Sequence, residues 1–133
     1  MRVVLDSNVL VAAFATHGVC HEIFEYCLRN ASILCSDFIL EEVDRILVQK
    51  IKTPPKMVAE ITHYLKDQAQ WILPEKVILP SLRDPNDCMI IATALSGGAD
   101  YLITGDKDLL VLKEVKRIAI ESPRNFWVRC QAI

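Results

Sequence analysis

An α/β sandwich of three layers, with helices on both faces of a central, mainly parallel sheet, is the fold class this sequence predicts. Three observations predict it. Short runs of strand type (Val3-Val4-Leu5, Ile33-Leu34-Cys35, Tyr101-Leu102-Ile103) alternate along the chain with stretches of helical period. Those runs are apolar throughout, the form of parallel strands buried on both faces. The length, 133 residues, suffices for one buried core and not for two, so residues 1–133 are expected to form a single domain.

Taken in order, Arg2 to Leu5 is the first strand and ends in Asp6. Ser7-Asn8 start a helix over Val9 to Ala15, which His17-Gly18 breaks, and a second helix runs from about Val19 to Arg29. Ser32 to Cys35 is the second strand. Ser36 or Asp37 then caps a helix through Lys50, whose apolar stripe is Phe38, Ile39, Val43, Ile46 and Leu47. Glu42 lies one turn from Phe38 and Ile46, at the edge of that stripe. A basic, proline-interrupted connection, Lys50 to Lys56, leads into a fourth helix from Pro55 to Gln68. Val77-Ile78-Leu79 reads as a third strand. Asp84-Pro85 starts a helix with almost no polar face, and Gly97-Gly98 end it, as glycine does where the backbone turns left-handed. Tyr101 to Ile103 is the next strand, followed by the acid-rich turn Thr104-Gly105-Asp106-Lys107-Asp108. A helical turn at Leu109-Leu110, a strand near Arg117 to Ile120 and a helix opened by Ser122-Pro123 complete the chain.

Bulk properties narrow the function classes. No apolar run is long enough to span a bilayer, and Met1-Arg2 runs into a strand without the pattern of a secretory signal. A cytoplasmic protein without membrane association is expected. Cys20, Cys27, Cys35, Cys88 and Cys130 form no C-x-x-C pair and read as reduced, mostly buried side chains. His17, His21 and His63 are assigned no metal role. The net charge of −2 does not exclude nucleic acid, because with Asp6, Glu42, Asp84, Asp87, Asp106 and Asp108 set aside the rest of the chain is net positive.

Those acids carry the functional signal. Ligands of open parallel sheets sit outside the carboxyl ends of the strands, where strand order reverses. Asp6 ends one strand and Thr104 to Asp108 follow another, so both groups reach the same edge, with Glu42 and Asp87 on helices alongside. Such oxygen donors favour a hard cation, Mg²⁺ or Mn²⁺. A divalent ion there activates water for phosphodiester hydrolysis, and a second would steady the leaving oxygen. Each acid also has an ordinary explanation. Asp84 before Pro85 is foremost a helix N-cap, Asp87 suits a helix dipole, and Glu41-Glu42 or Asp106-Lys107-Asp108 would serve as solvated surface. Asp6 is hardest to dismiss, since a carboxylate ending a buried strand needs a partner. Lys50, Lys52 and Lys56, with Arg45 and Arg83, are a candidate RNA-tracking face, although a solvated loop is the commoner reason for such a run.

The phrases V-V-L-D-S-N-V-L-V, I-L-E-E-V-D-R-I-L and R-D-P-N-D-x-x-I-I-A-T-A-L-x-x-G-A-D-Y-L-I-T-G-D-K-D-L-L together resemble the PIN-domain nuclease family. They are similar in particular to the PIN-type toxin components of toxin–antitoxin pairs. The resemblance implies Mg²⁺- or Mn²⁺-dependent cleavage of single-stranded RNA, an antitoxin protein as partner, and a homodimer. It places the catalytic and metal-binding acids on Asp6, Glu42, Asp87 and Asp106, with Asn8, Asp84, Thr104 and Asp108 in support. Two departures stand out: Ser7 replaces the more usual Thr, and Cys88 stands where many members carry their helix-start acid, leaving that work to Asp87. The second departure motivates an alternative, a catalytically weakened PIN-like module that binds RNA or a partner. A phosphoacceptor receiver domain fits less well, because it expects a pair of acids directly after the first strand.

Overall fold

The computed structural model describes residues 1–76, 79 and 82–132. Among these residues six strands form one sheet: β1 (Arg2–Leu5), β2 (Ser32–Cys35), β3 (Gln70–Trp71), β4 (Tyr101–Ile103), β5 (Glu114–Val115) and β6 (Ile118–Glu121). Their order is β3-β2-β1-β4-β6-β5, parallel throughout except for β5 against β6. Among the described residues, seven α-helices flank the sheet: α1 (Ser7–Ala15), α2 (Val19–Asn30), α3 (Asp37–Ile46), α4 (Pro55–Gln68), α5 (Pro85–Ser96), α6 (Lys107–Leu110) and α7 (Pro123–Gln131). The result is the expected α/β sandwich around a mainly parallel sheet.

β1 is central because it is apolar on both faces: Val3, Val4 and Leu5 are all fully buried. From β1 the chain builds outward through β2 to β3, then returns to add β4 and β6 on the other side. Strand order therefore reverses between β1 and β4, and a crevice opens beyond their carboxyl ends. Helix α5 packs against β1, β2 and β4, and α3 packs against both α1 and α5, which walls that crevice. Among the described residues, no helix is long and apolar enough to cross a membrane.

Four local features differ from the expectations. Helix α1 starts at Ser7, two residues early, because the Asp6 carboxylate caps it by accepting the Ser7 N–H. The third α-helix stops at Ile46 and continues as a π-helical turn, Leu47–Ile51, closed by Lys52 in the left-handed region (φ 59°). The expected strand at Val77-Ile78-Leu79 lies outside the described residues but for Leu79. The place beside β2 is held by β3, paired Leu34 to Gln70 and Cys35 to Trp71, with the Trp71 indole donating to Asp37 Oδ1 at 2.8 Å. The strand expected near Arg117 to Ile120 runs Ile118–Glu121 and is one arm of a hairpin with β5.

Candidate active site

Each acid is placed by an element that the local sequence dictates. Asp6 leaves β1 in extended conformation, and its backbone N–H donates to Ile103 O at 2.9 Å, tying the ends of β1 and β4 together. Its carboxylate accepts from Ser7 N–H (2.7 Å, on Oδ1) and from the Thr104 hydroxyl (2.6 Å, on Oδ2). Burial pushes the Asp6 carboxyl above its ordinary value. The two hydrogen bonds oppose that rise, and the charges of Asp106 and Glu42 add to it.

Thr104 follows β4, is fully buried, and accepts the Asp106 N–H on its hydroxyl at 3.0 Å. Asp106 caps α6, accepting the Asp108 N–H at 2.9 Å. Across the crevice, Asp84 caps α5 through the Asn86 N–H (2.9 Å), and Asp87 sits two residues into that helix, buried. Burial, then the charges of Asp106 and Asp84, push Asp87 up to about 6; a hydrogen bond shared with Asp106 and the charge of Asp6 act in the same sense. Asp87, Asp106 and Asp108 each bring one carboxylate oxygen within 4.8 Å of the others.

These side chains converge on an open cleft of about 160 Å³, lined by Asp6, Ser7, Asn8, Glu42, Arg45, Asp84, Asn86, Asp87 and Asp106, with Phe38 and Ile90 as apolar walls. All four acids read from the sequence as catalytic are there, and so are Asn8 and Asp84. Glu42, half-buried, faces the cleft, while Glu41 is exposed and does not line it. Thr104 lies behind Asp6, and Asp108 joins through the three-carboxylate group. Of the basic residues, Arg45 lines the cleft and bonds Glu42 at 2.6 Å. Lys50, Lys52, Lys56 and Arg83 do not line it: Lys52 borders an apolar groove with Phe14, Leu47 and Met57, and Arg83 a separate hollow. Cys88 borders that same hollow, turned away from the acids, so the residue that reaches the cleft is its neighbour Asp87.

The donor set is oxygen, carboxylate-rich and partly desolvated, which fits a hard divalent cation. A second observation points the same way. Ser7 Oγ is buried in the cleft lining and, among the described residues, is the one buried side-chain polar atom without a hydrogen-bond partner. Such an atom calls for a ligand or an ordered water. The identity of Ser7 carries no sign in the sequence that its hydroxyl is orphaned. Phe38 and Ile90, one turn from Glu42 and Asp87 on α3 and α5, are the apolar neighbours of the acids.

Comparison with known proteins adds to this geometry. The family described as PIN domain matches residues 2–108 of the chain. No curated protein matches the sequence significantly. In three dimensions the chain is similar to the crystal structure of VapBC2 from Rickettsia felis bound to a DNA fragment from their promoter, with a TM-score of 0.66 and 16% sequence identity. The likeness covers 92% of this chain and 98% of that one, and at such low identity it speaks for the fold.

Proposed function

The chain belongs to the PIN-domain family, and from that membership we propose that it is a metal-dependent endoribonuclease cleaving single-stranded RNA, the toxin component of a toxin–antitoxin pair. The observation that carries this reading is the convergence of Asp6, Glu42, Asp87 and Asp106, from four separate stretches of chain, on one oxygen-lined cleft. Asp6, Glu42, Asp87 and Asp106 would hold Mg²⁺ or Mn²⁺. When bound, the ion supplies an acidified water for phosphodiester hydrolysis and neutralises charge on the phosphate.

The protein's own part is positional. Thr104 and the Ser7 N–H hold both oxygens of Asp6 in place. Without metal, burial and the neighbouring carboxylates hold Asp87 at about 6, and a bound divalent ion would take the place of that proton. Asp84 and Asp106 cap α5 and α6, fixing those helix starts towards the cleft. Asn8 offers an uncharged amide at the rim. The second reading, a weakened binding module, arose from Cys88, and the inward position of Asp87 beside it supports the nuclease instead.

An antitoxin partner and a homodimer rest on the sequence resemblance to PIN-type toxins, and the likeness in fold to promoter-bound VapBC2 supports the former. We assign the protein to the cytoplasm and treat residues 1–133 as one domain. Incubation of a labelled single-stranded RNA with Mn²⁺ or Mg²⁺ and with EDTA tests the activity. Cleavage is expected only with metal and not by Asp6→Asn. Cleavage in EDTA would remove the metal from the reaction, and equal cleavage by Asp6→Asn would remove Asp6.

A further inference from the structure

Among the described residues lining the cleft, Arg45 is the one cation, and it shares the cleft with Asp6, Glu42, Asp84, Asp87 and Asp106. Its guanidinium donates to Glu42 Oε2 at 2.6 Å across one turn of α3. The Glu42 side chain is 18% exposed and that of Arg45 48%, so the acid belongs to the wall and the base to the rim. On an open helix face such a pair would be surface decoration and contribute little. Here its acid is one of the carboxylates that would hold the metal, and the guanidinium already takes one lone pair of that carboxylate. A metal on that carboxylate would compete with Arg45 for its negative charge and weaken the pairing.

Charge then decides where Arg45 goes. Without metal, its positive charge offsets part of the repulsion among the acids. When a divalent ion enters, the two cations repel, and the half-exposed guanidinium is free to swing along the rim. A nucleic-acid backbone brings an anion to that same place, and the planar fork of Arg matches the oxygens of a phosphate.

We propose that Arg45 is an internal counter-ion of Glu42, displaced by the incoming metal and then used to bind a backbone phosphate of the substrate. The inference rests on the metal-dependent nuclease reading and adds a specific order of events at the cleft rim. It also separates Arg45 from Lys50, Lys52 and Lys56, the residues with which the sequence groups it, none of which lines the cleft.

Mn²⁺ titration by calorimetry, without RNA, compares the wild type with Arg45→Gln and Arg45→Lys, after urea unfolding in EDTA has shown all three folded. Arg45→Gln is expected to bind Mn²⁺ about two- to fivefold more tightly, as loss of a half-exposed competing ion pair allows. Arg45→Lys, which keeps the charge and loses the fork, falls between the two. At saturating Mn²⁺, Arg45→Gln raises the KM for a single-stranded oligoribonucleotide on the order of tenfold, the loss of a charged hydrogen bond, with a smaller change in kcat. A wild type that binds no Mn²⁺ overturns the metal reading itself. If the wild type binds and Arg45→Gln binds no more tightly, the displacement alone is overturned. Arg45→Lys matching the wild type means that bulk charge, not pairing, competes, and an unchanged KM removes the phosphate role.

Discussion

The Thr104 hydroxyl donates to Asp6 Oδ2 at 2.6 Å although 98 residues of chain separate the two. The same hydroxyl accepts the Asp106 N–H at 3.0 Å, so one fully buried oxygen joins the acids that follow β1 and β4. Thr104→Val keeps the shape and removes both bonds. In EDTA it is expected to lower stability by about 1–3 kcal/mol, because buried polar groups lose their partner. Affinity for Mn²⁺ is expected to fall about 10–100-fold, as when groups that orient a metal ligand are removed. Thr104→Ser restores most of both. Urea unfolding and Mn²⁺ titration measure the two effects, and a Val variant with unchanged affinity would reduce Thr104 to a packing residue.

The two glycines that end α5 do different jobs. Gly98 alone has the left-handed backbone, φ +63°, and alanine there should cost roughly 1–2 kcal/mol in backbone strain. Gly97 has an ordinary φ of −86°, but an added Cβ would lie 2.8 Å from Leu34 Cδ1 and 3.1 Å from Ile72 Cγ1 and Thr93 O. Gly97→Ala should therefore destabilise by overpacking, about 1–3 kcal/mol. Combining Gly97→Ala with Leu34→Val, which trims the side chain met first, should recover part of that loss, whereas the same Leu34 change should add to Gly98→Ala. Denaturant midpoints of the four variants decide.

The legibility of the site and of the sheet edges differed for a physical reason. Asp6 and Asp106 could be read because all parallel strands deliver their carboxyl ends to one edge, so an acid after a buried run has a known address. Glu42 is the acid on α3 that the resemblance picks out, and helical phase puts it by the apolar stripe. The edge strands gave no such signal. β3 has two residues, too few for any period, and the β5 hairpin places Lys113 and Lys116 at φ 61° and 56°, where glycine or asparagine would have announced a turn. The π-helical turn at Leu47–Ile51 keeps helical composition while changing the ring size, which composition cannot report. Arg45 was grouped with basic neighbours in sequence because charge alone does not say which anion a side chain meets.

Adjacent glutamates on α3 give a test of that helical phase. Glu41 is exposed and Glu42 lines the cleft against Arg45. Glu41→Gln should leave RNA cleavage and Mn²⁺ affinity within about twofold of wild type, as surface changes do. Glu42→Gln should lower cleavage by at least about 10–100-fold, the range seen even for groups that act through a ligand. The two variants have the same composition and charge, so a nonspecific effect of lost negative charge would show equally in both. Equal rates would remove Glu42 from the site.

Asp87 makes the stability of the metal-free protein fall as pH rises, and a bound metal would cancel that fall. Burial and the neighbouring Asp106, Asp84 and Asp6 raise its carboxyl from the usual 3.8 to about 6, so the folded chain holds that proton more tightly than the unfolded chain. In EDTA the resulting stabilisation is full below about 3.8 and is lost as pH rises through about 6, an effect of roughly 1–3 kcal/mol at about 1.4 kcal/mol per pKa unit. Asp6, also raised, acts in the same sense. Mn²⁺ needs the same carboxylates ionised, so its stabilisation grows over that window, reaching ~2.7 kcal/mol at a hundredfold excess over Kd. Asp87→Asn has no proton to lose and should flatten both trends. Urea unfolding from pH 4 to pH 7, with EDTA and with Mn²⁺, read as the difference between wild type and Asp87→Asn, cancels groups elsewhere in the chain. A difference with the same slope in both conditions would mean that no metal replaces the Asp87 proton, and the cleft would have to be explained without one.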